Sequence, residues 1–215
     1  MTTRFDDLKK IPPEPAARML ARTGLKLTTP LKAPASAPVG AVLAELEAAG
    51  AAFDMLLMLA VALPAREAVW WGCLAARDRT GPVRGRDVPP PLAAAETWVF
   101  KPSDETRAAA KTAMEGAEPD DDTVYCAMAA LYADGTLGPG DAAEFPAPPA
   151  GVASAVHTLN MLSVQANKAR FAEHARLLID RGLDIARGGN GNVAPPAEAA
   201  AAAAPSPASA PKGAP

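Results

Sequence analysis

Two histidines, two cysteines and a run of three aspartates are the side chains of this sequence best suited to chemistry, and their spacing decides what they can do. His157 and His174 stand seventeen positions apart, with no further His, Cys or carboxylate at the short intervals a zinc site uses. Cys73 sits among Trp71, Gly72, Leu74 and Ala75, and Cys126 between Tyr125 and Ala127. Apolar neighbours keep a thiol protonated, and neither cysteine has a histidine nearby in the chain to activate it. Asp120, Asp121 and Asp122 lack the alternating ligands and the glycine of a calcium loop, whereas acids at a helix start are already favoured by the helix dipole. The stretch Gly188 to Asn192, GGNGN, has the composition of a phosphate loop but follows a helical pattern instead of joining a strand to a helix, so it reads as a helix cap. Arg77, Arg79, Arg84 and Arg86 gather within ten residues, but Asp78 and Asp87 dilute them and no aromatic is interleaved to stack bases. These residues therefore assign no catalytic, cofactor-binding or metal-ligating position. A net charge of -3 and a pI near 5.5 likewise argue against nucleic acid or an anionic membrane surface as partner.

Aromatic residues carry a stronger signal. Of the three tryptophans, Trp70 and Trp71 are adjacent, and helical neighbours point about 100° apart, so both cannot face one core. On a helical wheel Ala65, Ala68, Val69, Gly72, Cys73, Ala75 and Ala76 share a sector of small residues with Trp71 at its edge. Trp70 and Leu74 fall outside that sector, between Arg66 and Arg77 on one side and Glu67 and Asp78 on the other. Such a ridge is either covered by another helix of the same domain or left as a docking surface with a charged rim. As a docking surface it would use Trp70, Leu74, Arg66 and Arg77 to bind a protein partner. A different class of function, a small helical enzyme or ligand-binding protein, would instead line a pocket with Trp70, Trp98 and Tyr125 and take polar groups from Glu67 or Glu96.

The elements that must position these residues are all helical, since no alternating β-branched run or hairpin dipeptide occurs. Residues 1–38 read as a disordered, proline-rich arm with one short helix ending at Gly24. A single all-α domain of short antiparallel helices, a bundle or a short helical-hairpin array, is expected over residues 39–188. Gly50 marks a turn, Pro64 a helix start, Pro89 to Pro91 a restart, and Ser103 a cap with Asp104 and Glu105 in the first turn. The last helix carries an apolar stripe of Phe171, Ala175, Leu178, Gly182 and Ile185, in which Gly182 permits a close helix approach. Residues 189–215, rich in Ala and Pro, read as a disordered tail. The most apolar run, Met55 to Leu63, is far too short to span a membrane, and the N-terminal stretch has acids and prolines where an export signal needs an apolar core, so a cytoplasmic location is expected.

The blocks LPAREAVWWGCLAAR, AETWVFKPSDETRAAA and RGLDIARGG resemble an uncharacterised family of bacterial proteins with a double-Trp helix, a Trp-x-x-x-Pro-Ser segment and a C-terminal Gly-Leu-Asp-Ile-Ala-Arg-Gly. The resemblance covers roughly residues 39 to 189. Because some members occur near type VI secretion genes, it implies an adaptor or chaperone-like accessory of a secretion system. It carries over no catalytic residue.

Overall fold

The computed structural model describes residues 3–81 and 85–193 of the 215-residue chain. Among them nine α-helices follow one another: α1 (Ala16–Thr23), α2 (Val39–Ala48), α3 (Ala52–Ala62), α4 (Ala65–Thr80), α5 (Pro90–Phe100), α6 (Asp104–Glu115), α7 (Val124–Leu131), α8 (Gly151–Ala166) and α9 (Phe171–Arg187). The described residues form no β-ladder, only isolated bridges between Pro15 and Pro38 and between Thr136 and Pro146. The chain is all-α.

Helix ends fall where backbone chemistry requires them. Gly50, at φ 66°, supplies the left-handed turn between α2 and α3, and Pro64 immediately precedes α4. Ser103 caps α6 by accepting from the Thr106 N–H at 3.2 Å, while Thr106 Oγ1 accepts from the Ser103 N–H at 3.1 Å, so a threonine completes the capping box. Before α7, Asp121 accepts from the backbone and hydroxyl of Thr123 and Asp122 pairs with Arg79 at 2.6 Å. The aspartate run is thus occupied with helix initiation and an ion pair.

α4 is the centre of the bundle. It packs most extensively on α8 and also meets α5, α7 and α9, while α5, α6 and α7 form one flank and α3 and α9 the other. The small sector read from the wheel is the buried face: Ala68, Val69, Gly72, Cys73, Ala75 and Ala76 are all sealed. The apolar stripe of α9 is buried at Ala175, Leu178, Gly182 and Ile185, but Phe171 is half exposed and meets Phe53 edge-on, with ring centroids 5.5 Å apart. At Gly182 a β-carbon would stand 3.1 Å from both Leu59 and the Trp71 ring. That separation is what the glycine provides, because helix axes approach this closely only where no side chain intervenes.

Two expectations at the chain ends need correction. Apart from α1 the described part of the proline-rich arm is a series of turns and irregular segments, but it is not disordered. Phe5, Ala16, Met19 and Ala37 are buried, and carboxylates of the bundle hold its free backbone N–H groups. Asp54 of α3, 5% exposed, accepts from Thr28 N at 3.0 Å, Thr29 N at 2.7 Å and the Thr28 hydroxyl, and Glu45 of α2 accepts from Lys32 N and Ala33 N. Arg4 pairs with Glu47 and Asp180. A segment outside helix or ladder offers unpaired donors that must be satisfied once it lies on the domain, and these acids satisfy several of them. At the other end, the tail was expected from residue 189, yet residues 189–191 remain on the domain. Residues 194–215 lie outside the described residues.

Candidate functional site

The adjacent indoles of α4 have opposite surroundings. Trp71 is fully buried and donates from Nε1 to the Leu178 carbonyl of α9 at 2.9 Å, so its one polar atom is satisfied inside the core. Trp70 is half-buried. Its ring meets Phe100 edge-on with centroids 5.6 Å apart, and its Nε1 donates to the Asn190 carbonyl at 2.8 Å. Phe100, the last residue of α5, is 71% exposed.

The chain after α9 builds one wall of this site. Gly188 takes the left-handed cap conformation, and Gly191, at φ 77°, turns back so that its N–H donates to Asp184 Oδ2 at 2.8 Å. A β-carbon at Gly191 would lie 2.6 Å from Leu74 Cδ1 and 3.0 Å from Ile185 Cδ1. Close approach and positive φ both demand glycine there, and the turn covers Leu74. GGNGN is therefore a folded-back cap and not a phosphate loop. Between this turn, the end of α5 and α4 lies a recess of about 390 Å³, lined by Lys10, Arg66, Glu67, Trp70, Val99 and Phe100, with Ile185 and residues 188–190 behind them. That is the lower end of the range for ligand clefts.

The four residues singled out on the α4 ridge thus separate. Arg66 and Trp70 line the recess. Leu74 lies under the Gly191 turn, and Arg77 is held by Glu96 through two short bonds, Nε to Oε1 at 2.5 Å and Nη2 to Oε2 at 2.6 Å. Glu67 pairs with Lys10 at 3.0 Å and Asp78 with Arg181 at 2.6 Å. Arg66 donates from Nε to the Val99 carbonyl at 2.7 Å and has no carboxylate partner among the described residues. The alternative pocket is not assembled at this recess, since Trp98 is buried at 6% exposure and neither it nor Tyr125 lines it. Of the arginine group, Arg77 and Arg79 are each ion-paired, and Arg84 lies outside the described residues.

Phe100, Lys10 and the Gly188 to Asn190 wall escaped the sequence reading. The one available signal was Phe100 itself, a large apolar residue placed directly before the Lys101-Pro102 stop of a helix.

Elsewhere, Ser163, His174 and Asp78 meet, but not in the geometry of a hydrolytic triad. Ser163 Oγ lies 2.8 Å from His174 Nε2, and Asp78 Oδ2 lies 3.6 Å from the same nitrogen. A hydrolytic triad needs the carboxylate on the opposite ring nitrogen, and Ser163 is fully buried. The group ties α4, α8 and α9 together. Burial lowers the His174 pKa, Asp78 opposes the shift, and Arg181 and Arg170 reinforce it. Burial also lowers that of His157, whose Nδ1 is sealed without a hydrogen-bond partner among the described residues. Cys73 and Cys126 meet across α4 and α7; the neighbouring Cys126 thiol and full burial push the Cys73 pKa well up, so it is no nucleophile. Among the described residues no three His, Cys, Asp or Glu side chains gather to hold a metal ion, and no helix is long and apolar enough to cross a membrane.

A family model, a family of unknown function (DUF6931), matches residues 42–186. The chain belongs to this family. The match spans α4, α5 and nearly all of α9, so both the sealed face at Trp71 and most of the recess lie within the family's part of the chain, whereas Lys10 and residues 188–190 lie outside it. No curated protein and no solved structure matches the chain.

Proposed function

We propose that this member of the family is a non-enzymatic protein-interaction module that receives a partner in the recess between Trp70 and Phe100. The observation that carries the reading is Phe100, a phenylalanine 71% exposed against a half-buried tryptophan, beside a cation without an ion-pair partner among the described residues. Exposed aromatic pairs with a charged rim are what protein interfaces enrich. Its setting is the bacterial cytoplasm, as an adaptor or chaperone-like accessory of a secretion system; that finer assignment rests on the resemblance of the double-Trp block. The enzyme reading has less support, because the carboxylates it would use, Glu67 and Glu96, are consumed in ion pairs and the buried His174 group lacks the geometry of a hydrolytic triad.

The test is in-cell cross-linking. A photoreactive phenylalanine analogue at Phe100 of the full chain should give discrete adducts with one or a few proteins, identified by mass spectrometry. The same analogue at Glu105, exposed on α6, should not. Equal, diffuse labelling from both positions would refute the proposal.

A further inference from the structure

The recess carries a sign as well as an apolar floor. Every other charged group along the α4 ridge is neutralised within the protein: Glu67 by Lys10, Arg77 by Glu96 and Asp78 by Arg181. Arg66 alone on this ridge has no carboxylate within ion-pair distance among the described residues, and its bond from Nε to the Val99 carbonyl fixes the guanidinium at the mouth of the recess with both Nη groups uncommitted. Lys101, next to Phe100 in the chain, is exposed and also has no ion pair among the described residues. An incoming group therefore meets an aromatic pair beside Arg66, with Lys101 next to Phe100 in the chain, and neither cation is neutralised among the described residues. A guanidinium with free Nη donors is geometrically suited to grip a carboxylate by its fork.

We infer that the recess accepts an acidic segment of another protein, which seats a large apolar side chain against Trp70 and Phe100 and lays a carboxylate on Arg66. The inference rests on the docking function proposed above and names the chemistry of the partner. Apolar burial supplies the affinity, while the Arg66 charge selects the sign of the partner and speeds its approach.

Fluorescently labelled peptides binding to the full-length protein test it by anisotropy. The probes are Asp-Asp-Leu-Phe-Asp-Glu, its basic counterpart Lys-Lys-Leu-Phe-Lys-Lys, and a peptide of residues 194–215. The acidic probe should bind at least tenfold more tightly than the basic one and weaken as salt rises from about 50 to about 300 mM. Arg66→Glu should cost at least tenfold in affinity for the acidic probe and improve binding of the basic one, a reversal that mere structural damage would not produce. Lys101→Glu, which removes no observed contact, should cost at least threefold and decides the matter if Arg66→Glu fails to fold. Equal binding of both charged probes, no binding of the acidic probe, or unchanged affinity in the folded variants overturns the acidic partner. Tighter binding by the peptide of residues 194–215 overturns it in favour of the chain's own tail. Cross-linking from Phe100 is independent of these outcomes: adducts without acidic selectivity leave the docking function standing, and their absence removes it.

Discussion

Trp70 and Trp71 are consecutive in one helix, yet one closes the core and the other shapes a surface. Around Trp71 the chain spends small residues, so that α9 approaches through Gly182 and α8 through Gly72, and the indole N–H finds a carbonyl on α9. Around Trp70 it places a left-handed turn, an exposed phenylalanine and an arginine with no carboxylate partner among the described residues. Burial separates the two positions, Trp71 being fully enclosed and Trp70 half exposed. The difference also lies in the charges nearby: Trp71 has none left open beside it, whereas Arg66 beside Trp70 has no carboxylate partner among the described residues.

Breaking the sealed side should cost most. Trp71→Ala should destabilise the protein by about 3–5 kcal/mol in urea melts, because the closely packed helices around it cannot collapse into the void. A loss below about 2 kcal/mol would mean that the face is loosely packed. Gly182→Leu tests the same contact by overfilling. With a β-carbon already 3.1 Å from Leu59 and Trp71, it should cost about 1–3 kcal/mol although leucine is the better helix former. A more stable variant would place Gly182 away from the interface. On the open side, Trp70→Ala should cost only about 1–2 kcal/mol, since it removes one hydrogen bond to Asn190 and a half-buried ring.

The smallest effect separates the two sides by pH. His174, on the sealed side, has a pKa lowered by burial, as does His157, so the unfolded chain binds more protons than the folded one at mildly acidic pH. Their contribution to stability should be complete above about pH 6.5 and decline as pH falls below it. Asp54 does not enter this window. Although burial alone would raise its pKa, the threonine hydrogen bonds hold it below the ordinary carboxylate value, and its contribution is lost only at still lower pH. No histidine lines the recess, so His174→Asn should flatten part of the slope and leave the Trp70 environment unchanged. An unaltered slope would assign the acid sensitivity elsewhere.

Local signals in the sequence specify the helices and the division of α4. Pro64, Gly50 and Ser103 mark ends by backbone rules that act within one turn, and the small sector around Val69 is a property of residue order. What remained illegible depends on partners distant in sequence. Arg107, 3% exposed, is readable as a surface charge of α6, but it donates to the Leu131 carbonyl and to Asp134, closing the end of α7. The arm resembled disorder because its anchors, Asp54 and Glu45, lie on other elements. The recess was half legible: Arg66 and Trp70 came from the wheel, whereas Phe100 and the Gly191 turn reach it only through the packing of α5 and α9 on α4.

Acrylamide quenching of tryptophan emission tests the central contrast most directly, because Trp71 and Trp98 are sealed and Trp70 alone is half exposed. Trp70→Phe should remove most of the quenchable emission, and Trp71→Phe should leave that component in place. Quenching that is the same in Trp70→Phe as in the parent protein would show that the Trp70 side is closed, and the account of α4 as a helix with one sealed and one open indole would be wrong.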